Sequence, residues 1–340
     1  MIAEASGPQT AMKPKLGFLG LGWIGRSRLE AIVREGCATV ACIVEPAEEN
    51  ARLTCEIAPD AAQARGLDDL LNDPELDGIV IATPSAMHAR QAGLSLKAGK
   101  AVFCQKPLAR TAGETRTIVE AAWDSGLPLG VDFSYRHTAA MQALYPLIRE
   151  EKLGKIYAID LVFHNAYGPD KEWFFDIAQS GGGCIIDLGV HMIDLALWCL
   201  NFPGIARVNG SLYCKGERLT SPYERVEDYG VALLETETGV AIQLQCSWNL
   251  PAGQDAAIEA RFYGTKGGAA FRNIGGSFYD FIAERYDGTH KTVLASPPDA
   301  WSGRAAVEWA KRLARGEGFD AREGERFVKT AQAIDMIYDR

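Results

Sequence analysis

A glycine-rich hexapeptide near the start of the chain constrains its fold more than any other feature. The segment G-L-G-W-I-G at positions 20–25 follows the apolar run 15–20, a predicted strand, and opens a helix predicted over 24–35. In such a turn the first glycine permits the sharp bend, the second lets the backbone approach a pyrophosphate, and the third lets helix and strand pack closely. The sequence therefore predicts a dinucleotide-binding βαβ unit that contacts its cofactor through Gly20, Gly22, Trp23, Ile24 and Gly25.

An acidic residue lies at the distance that this motif requires. Glu45 ends the second predicted strand, 39–44, about twenty residues after the last glycine, where a carboxylate accepts the ribose hydroxyls of the adenosine. A negative charge there repels a 2′-phosphate, and the next residues, Pro46 and Ala47, offer no cation to attract one. NAD(H) is therefore favoured over NADP(H). The alternative is a structural turn followed by a solvated glutamate.

The rest of the chain shows two textures. Up to Phe133, short apolar runs alternate with amphipathic helices, which indicates a parallel sheet. Beyond Gly154, longer runs with polar alternation indicate antiparallel strands with one exposed face. The predicted fold is an α/β Rossmann domain over 15–134, after a leader of 1–14, and an α+β domain over 135–340 with a large, mostly antiparallel sheet. Two closing helices can pack back on the Rossmann domain.

Composition and charge exclude several classes of protein. The formal net charge is −9, so neither nucleic acid nor an anionic membrane is an expected partner. The eight cysteines form no C-x-x-C pair and no Cys/His cluster with zinc spacing, so no metal is expected and the cytoplasm is the predicted compartment. The apolar stretch 184–200 contains three ionisable side chains and is too short and polar to span a bilayer.

Several further strings together resemble one family. They are A-T-P at 82–84 with His88, G-K-A-V-F-C-Q-K-P-L at 99–108, G-G-G at 181–183 leading into D-x-G-x-H at 187–191, V-E-D-Y at 226–229 and Y-G-T-K-G at 263–267. In combination they resemble the glucose–fructose oxidoreductase/inositol dehydrogenase (Gfo/Idh/MocA) family over nearly the whole chain. The resemblance implies a Rossmann domain, a sheet domain that forms homodimers or homotetramers, and oxidation or reduction of a sugar, cyclitol or sugar nucleotide.

The resemblance also implies roles for individual residues. Lys106 matches the lysine of the family's E-K-P motif, while Asp187 and His191 match its two other catalytic positions. Gln105 stands where the family usually has glutamate, and Ser134 where many relatives have asparagine. The other expected contacts are Thr83, Pro84, His88, Gln105 and Lys106 for the cofactor, and Lys106, Tyr135, Arg136, Trp173, Asp187 and His191 for the substrate. The residues themselves leave an alternative open: His88 can lie on a helix surface, and Tyr135, Arg136 and Trp173 can serve ordinary packing between the domains.

These side chains suit hydride transfer. A neutral imidazole such as His191 can take the hydroxyl proton of a secondary alcohol, and the Lys106 ammonium can stabilise the developing alkoxide. Asp187 lies four residues before His191, on the same face of a predicted helix, from which we expect it to orient the substrate and support the histidine. The alternative is that both are ordinary polar residues of a core helix.

The predicted function is that of an NAD(H)-dependent oxidoreductase acting on a secondary alcohol or ketone of a small polyol-like substrate. Two alternatives stay open on the sequence. One is a glycoside hydrolase or lyase that oxidises its substrate transiently with bound NAD. The other is a dinucleotide-sensing regulator without catalysis, although such a protein is expected to lose Lys106 or His191, and both are present.

Overall fold

A computed structural model describes residues 13–340, so the predicted leader, 1–14, falls almost wholly outside the described residues. The strands are β1 (Lys15–Leu19), β2 (Thr39–Val44), β3 (Ala62–Gln63), β4 (Gly78–Ile81), β5 (Ala101–Cys104), β6 (Leu129–Val131), β7 (Ile156–Asn165), β8 (Ile205–Cys214), β9 (Glu217–Arg218), β10 (Tyr229–Thr236), β11 (Ala241–Ser247), β12 (Ala256–Gly264), β13 (Gly267–Asn273), β14 (Phe281–Asp287) and β15 (His290–Ala295).

The helices are α1 (Trp23–Glu35), α2 (Glu48–Ile57), α3 (Leu67–Asn72), α4 (Ser85–Lys97), α5 (Ala112–Ser125), α6 (Ala139–Arg149), α7 (Ile177–Ser180), α8 (Val190–Cys199), α9 (Arg304–Ala314) and α10 (Ala321–Tyr338). Short 3₁₀ turns cover Ser134–His137 and Glu172–Phe175, and a π-helical turn, Ile185–Gly189, leads directly into α8.

The first six strands form a parallel sheet in the order β3-β2-β1-β4-β5-β6, the usual order of a dinucleotide-binding fold. Every residue of β4 and β5 is buried, which explains why these strands appear in the sequence as continuous apolar runs. The predicted Rossmann sheet is confirmed, and its carboxyl edge carries the glycine turn and the Lys106-Pro107 turn.

The second sheet has nine strands in the order β15-β14-β13-β12-β7-β11-β10-β8-β9. Only β7 and β11 are parallel neighbours; every other described pair is antiparallel. This confirms the predicted large, mostly antiparallel sheet. Helices α6 and α8 contact the sheet, and their apolar side chains join those of the strands in one core.

The chain returns to the first sheet after the second is complete. Helix α9 packs against α1, and Trp309 lies with its ring centroid 5.8 Å from that of Phe103 on β5. Its indole donates to the backbone oxygen of Pro128. A Cβ atom on Gly130 would come within 2.9 Å of the Trp309 ring, so this contact requires glycine. Helix α10 contacts both α5 and α8 and so bridges the two sheets.

Some elements have no counterpart in the sequence prediction. Strand β13 begins with two adjacent glycines, and strand β15 is exposed along almost its whole length. Neither strand has the apolar alternation that predicts a strand. Helix α2 begins with acidic residues that look like solvated surface. The apolar stretch Ile177–Cys199 is long enough to cross a membrane, but 83% of its most apolar window is buried in this fold.

Candidate active site

The glycine turn is built as a cradle for a pyrophosphate. Gly20 has φ +85°, and a Cβ on Gly25 would lie 2.2 Å from the Gly20 backbone oxygen, so both positions require glycine. A Cβ on Gly22 would meet nothing within 4 Å and would project into open space. Within the described range 13–340 no side chain caps α1, and no acid lies in its first turn, which leaves its first N–H groups for an anion. The turn therefore fits a dinucleotide.

Glu45 lies beside this turn. Its carboxylate accepts hydrogen bonds from the backbone N–H groups of Leu21, at 2.6 Å, and Ala47, at 2.9 Å. These two bonds fix the carboxylate at the carboxyl end of β2, next to the glycines, where the sequence places a ribose acceptor.

Two elements far apart in the sequence bring Lys106 and Asp187 together. The Lys106 ammonium follows β5 and lies 2.6 Å from Asp187 Oδ1 and 2.6 Å from the Asp187 backbone oxygen. Trp248 donates its indole N–H to the other carboxylate oxygen, at 3.2 Å. An ammonium has three donors, so one N–H of Lys106 remains for a ligand. Both charged side chains are about one-sixth exposed, at 17% and 16%.

A buried carboxylate sets the turn that carries Asp187. Glu227 accepts from the N–H groups of Gly183, at 2.8 Å, and Ile185, at 3.0 Å, and from the hydroxyl of Tyr338, at 2.7 Å. A Cβ on Gly183 would lie 1.9 Å from the Glu227 backbone oxygen, so glycine is required there. The widened π-helical turn that follows is a form often found at functional sites.

His191, at the start of α8, lies close to this ion pair. Its ring centroid is 4.9 Å from that of Tyr135. Its buried Nδ1 atom has no hydrogen-bond partner among residues 13–340. Burial lowers the pKa of His191 well below its ordinary value, and the nearby Lys106 and Arg28 cations act in the same direction, against Asp132. The ring is therefore neutral near pH 7 and suited to accept a proton.

One cavity of about 710 Å³ joins these parts. Of the residues predicted to form the site, those that line it are Gly22, Trp23, Ile24, Gly25, Thr83, Pro84, His88, Gln105, Lys106, Tyr135, Trp173, Asp187 and His191. The cavity thus extends from the glycine turn to the Lys106–Asp187 pair, as a dinucleotide with a substrate at its end requires. Gly20, the first residue of the turn, and Glu45, which binds the turn, do not line the cavity.

Arg136 was predicted to bind substrate, and the structure places it elsewhere. Its guanidinium donates to both Asp194 oxygens, at 2.6 and 2.5 Å, and to Glu323, at 2.8 Å. It does not line the cavity. Because two carboxylates in the protein interior already use its donors, Arg136 is a structural residue that ties the chain after β6 to α8 and α10.

Two further predicted site residues have partners within the protein. His88 lines the cavity, and its ring nitrogens lie 2.8 and 2.7 Å from the backbone oxygens of Pro107 and Thr83. It connects the two turns that border the cavity. The Asp187 carboxylate is held by Lys106 and Trp248, so the support expected for His191 does not take the form of a hydrogen bond from Asp187.

Sequence reasoning missed several residues around the site. Asp132 and Arg28 form a buried ion pair on the cavity wall, with Nε 2.5 Å from Oδ2. Trp248 and Glu227 hold Asp187 and its turn. Glu227 belongs to the V-E-D-Y string, which contributed to the family resemblance but indicated no role for this residue. Nothing in the sequence pattern marks Trp248, which becomes a neighbour of Asp187 only through the pairing of β7, β10 and β11.

Comparison with known proteins agrees with this geometry. A family model described as an oxidoreductase family with an NAD-binding Rossmann fold matches residues 15–133, and the GFO/IDH/MocA C-terminal domain matches residues 141–270. The chain belongs to the GFO/IDH/MocA oxidoreductase family. The resemblance predicted from the motifs is confirmed, and both halves of the fold match the two-domain organisation of that family.

Individual members of the GFO/IDH/MocA family give further comparisons. The chain is 31% identical over 188 residues to a 1,5-anhydro-D-fructose reductase of Ensifer adhaerens, a match that spans 54% of this chain and 56% of that protein. Its fold is similar to GenD2 from gentamicin A biosynthesis in complex with NAD (TM-score 0.79, 22% identity, 100% and 96% of the two chains). It is also similar to a 3-ketoreductase from Actinomadura kijaniata with NADP and TDP-benzene (TM-score 0.80, 20% identity, 96% and 98%).

Proposed function

We propose that this chain is an NAD(H)-dependent oxidoreductase that transfers a hydride between a nicotinamide and a secondary alcohol or ketone of a sugar, cyclitol or sugar nucleotide. The observation that carries the proposal is the meeting of Lys106, Asp187 and His191 on the wall of one cavity that also reaches the glycine turn. Replacing Lys106 by methionine or His191 by asparagine tests it: turnover should fall by orders of magnitude while dinucleotide binding persists.

The side chains divide the work of the reaction. The nicotinamide ring, when bound, supplies the hydride acceptor or donor. In the direction of oxidation, the neutral His191 ring takes the hydroxyl proton as the C–H bond breaks. The remaining N–H of Lys106 donates to the substrate oxygen and stabilises its developing negative charge. Asp187 holds that ammonium in place, and Trp248 in turn holds the Asp187 carboxylate. In the direction of reduction, protonated His191 returns the proton.

For the cofactor we propose NAD(H) rather than NADP(H). The support is the Glu45 carboxylate, which two backbone N–H groups fix beside the glycine turn. A fixed negative charge at that place repels a 2′-phosphate. The test compares kcat/KM with the two cofactors in the wild type and in Glu45→Ala. The wild type should prefer NAD(H) and the variant should lose most of that preference. A wild-type preference for NADP(H) would contradict the assignment.

The substrate class rests on the far end of the cavity. Trp173 and Phe174 stack at 3.8 Å between ring centroids, and both line the cavity. Phe174 also packs edge-on against Trp248, the partner of Asp187. Aromatic faces of this kind stack on the apolar face of a sugar ring. The names of the relatives, an anhydrofructose reductase and a 3-ketoreductase, point the same way. A panel of free sugars, anhydrosugars, cyclitols and sugar nucleotides, monitored through reduced cofactor, identifies the class.

The two alternatives make different predictions. A hydrolase or lyase that oxidises its substrate transiently re-reduces it, so product forms without release of NADH. A regulator without catalysis binds dinucleotide and turns over no member of the panel. The neutral histidine beside a lysine that retains a free donor favours the oxidoreductase. Product formation without free NADH would favour the first alternative.

We further propose that the chain works as a homodimer or homotetramer through the exposed face of its nine-stranded sheet. Leu233 on β10 is 54% exposed, opposite Asn209 and Gln243 of the neighbouring strands. Sedimentation of the wild type and of Leu233→Arg tests this, and the variant should shift towards monomer.

The cytoplasm is proposed as the compartment because all eight cysteines are free thiols.

A further inference from the structure

A second buried ion pair lies in the cavity wall. Asp132, which follows β6, accepts hydrogen bonds from Arg28 Nε and Gln105 Nε2, each at 2.5 Å, and from the Ser134 hydroxyl. The Asp132 side chain is fully buried and that of Arg28 is 7% exposed. The two positions at which this chain departs from its family, Gln105 and Ser134, thus both donate to one carboxylate.

The other donors of Arg28 stay within the same cluster. Its two terminal nitrogens reach the hydroxyls of Ser134, at 3.0 Å, and Ser302, at 3.1 Å. Ser302 comes from the segment just before α9, so the cluster joins residues from α1, from the ends of β5 and β6, and from the second half of the chain. All three guanidinium nitrogens of Arg28 thus have partners in the cluster, which fixes the group in one position.

The pair borders the same cavity as the proposed reacting groups. Arg28, Gln105 and Asp132 all line it, and both charges are close enough to His191 to shift the pKa of that residue in opposite directions. Burial alone would raise the pKa of Asp132, but Arg28 and the hydrogen bonds from Ser134 and Gln105 hold it below its ordinary value. Asp132 is therefore ionised near pH 7, and the pair is neutral overall.

We propose that Asp132 neutralises Arg28 so that the cavity accepts the cationic, oxidised nicotinamide, and that this ion pair sets the relative affinity for oxidised and reduced cofactor. The inference rests on the proposed function. The oxidised ring carries a positive charge and the reduced ring carries none, so a change of charge in a low-dielectric wall alters the binding of the first and barely that of the second.

The test measures equilibrium binding rather than turnover. The dissociation constants for NAD+ and NADH are determined by calorimetry for the wild type and for Asp132→Asn, which keeps a hydrogen-bond acceptor and removes the charge. In the variant the Arg28 cation is no longer balanced. The constant for NAD+ should rise on the order of tenfold, and that for NADH should change by less than about twofold.

Two more variants keep the test independent of one side chain. Arg28→Met removes the cation that helps to hold the buried Asp132 ionised, so the ratio of the NAD+ to the NADH constant is measured from about pH 6 to about pH 10 and should fall as the carboxyl group loses its proton with rising pH. Arg28→Met combined with Asp132→Asn removes both charges, and its ratio should return to within about twofold of the wild type. If Asp132→Asn does not fold, the Arg28→Met ratio decides the question.

A matched control is available away from the cavity. Glu323 pairs with Arg136 and Arg326 and does not line the cavity, so Glu323→Gln removes the same charge from an arginine cluster and should leave the ratio unchanged. An equal weakening of both cofactors in Asp132→Asn, or an unchanged ratio, would overturn the inference and leave the proposed function intact. A wild-type protein that binds neither cofactor would overturn the proposed function itself.

Discussion

Two ion pairs on the helical segment 185–199 differ in what surrounds them. Asp187 pairs with Lys106 at 2.6 Å on the wall of the cavity. Asp194, two turns later, takes two bonds from Arg136, whose guanidinium lies 5.2 Å from the ring centroid of Phe133. The first pair has an N–H donor of Lys106 left for a ligand, and beside it the buried Nδ1 atom of His191 has no hydrogen-bond partner in the described part of the chain. The second is enclosed and satisfied.

Both pairs carry the same charges. Burial, and whether every hydrogen-bond donor of the pair is used within the protein, separate the reacting pair from the structural one. An ion pair whose donors are all used within the protein contributes to the stability of the fold and offers nothing to a ligand. A pair that keeps one donor on a cavity wall can bind a substrate.

Removing the reacting groups should cost the most. His191→Asn or Lys106→Met should lower kcat/KM by about 10²- to 10⁴-fold, because each removes a proton-transfer or charge-stabilising group. For His191→Asn, the binding constant for NADH and the melting temperature should stay close to those of the wild type. If both variants retain wild-type turnover, the pair at the cavity has no role in the chemistry.

Breaking the enclosed pair should affect stability instead. Arg136→Met leaves the Asp194 carboxylate buried without its main partner and should lower the free energy of unfolding by about 3–5 kcal/mol. Turnover per folded molecule should remain, because Arg136 does not line the cavity. Urea unfolding and active-site titration with dinucleotide measure the two quantities. A stable variant that has lost activity would reverse the assignment of Arg136.

These two ion pairs also show which parts of the fold and of the site can be predicted from sequence. Most of the strands, the glycine turn and Glu45 can be predicted locally, because apolar runs and glycines indicate the conformation of their own segment. The meeting of Lys106 with Asp187 was implied only by resemblance, because it joins residues 81 apart in the chain. Arg136 and Trp248 could not be assigned, because the direction of each side chain depends on elements packed against it.

Replacing the residue that holds Asp187 should have a smaller effect than replacing Lys106 or His191. Trp248→Phe removes the indole N–H that holds Asp187 Oδ2 and should lower kcat/KM by about two- to tenfold, which is the worth of one hydrogen bond. The free energy of unfolding should change little, because the ring is kept. A loss of stability with full activity would mean that Trp248 serves packing alone.

The pH profile should reflect the neutral histidine. A general base works when it is unprotonated, and burial lowers the pKa of His191, so the ring stays neutral to a lower pH than an exposed histidine. The value of kcat/KM for alcohol oxidation should therefore remain level as the pH falls through about 6.5 and decline only below it. A decline centred above pH 7 would point to a different base.

Transfer of deuterium from substrate to cofactor tests whether this protein carries out the proposed hydride transfer. A substrate identified from the panel is labelled with deuterium at its carbinol carbon and incubated with the protein and NAD+. Mass spectrometry then measures the deuterium content of the NADH that is released. We expect each NADH molecule formed to carry one deuterium, one for each ketone produced, and we expect Lys106→Met and His191→Asn to form almost no labelled NADH in the same time. Product that forms without labelled NADH, or label that appears equally fast with both variants, would contradict it.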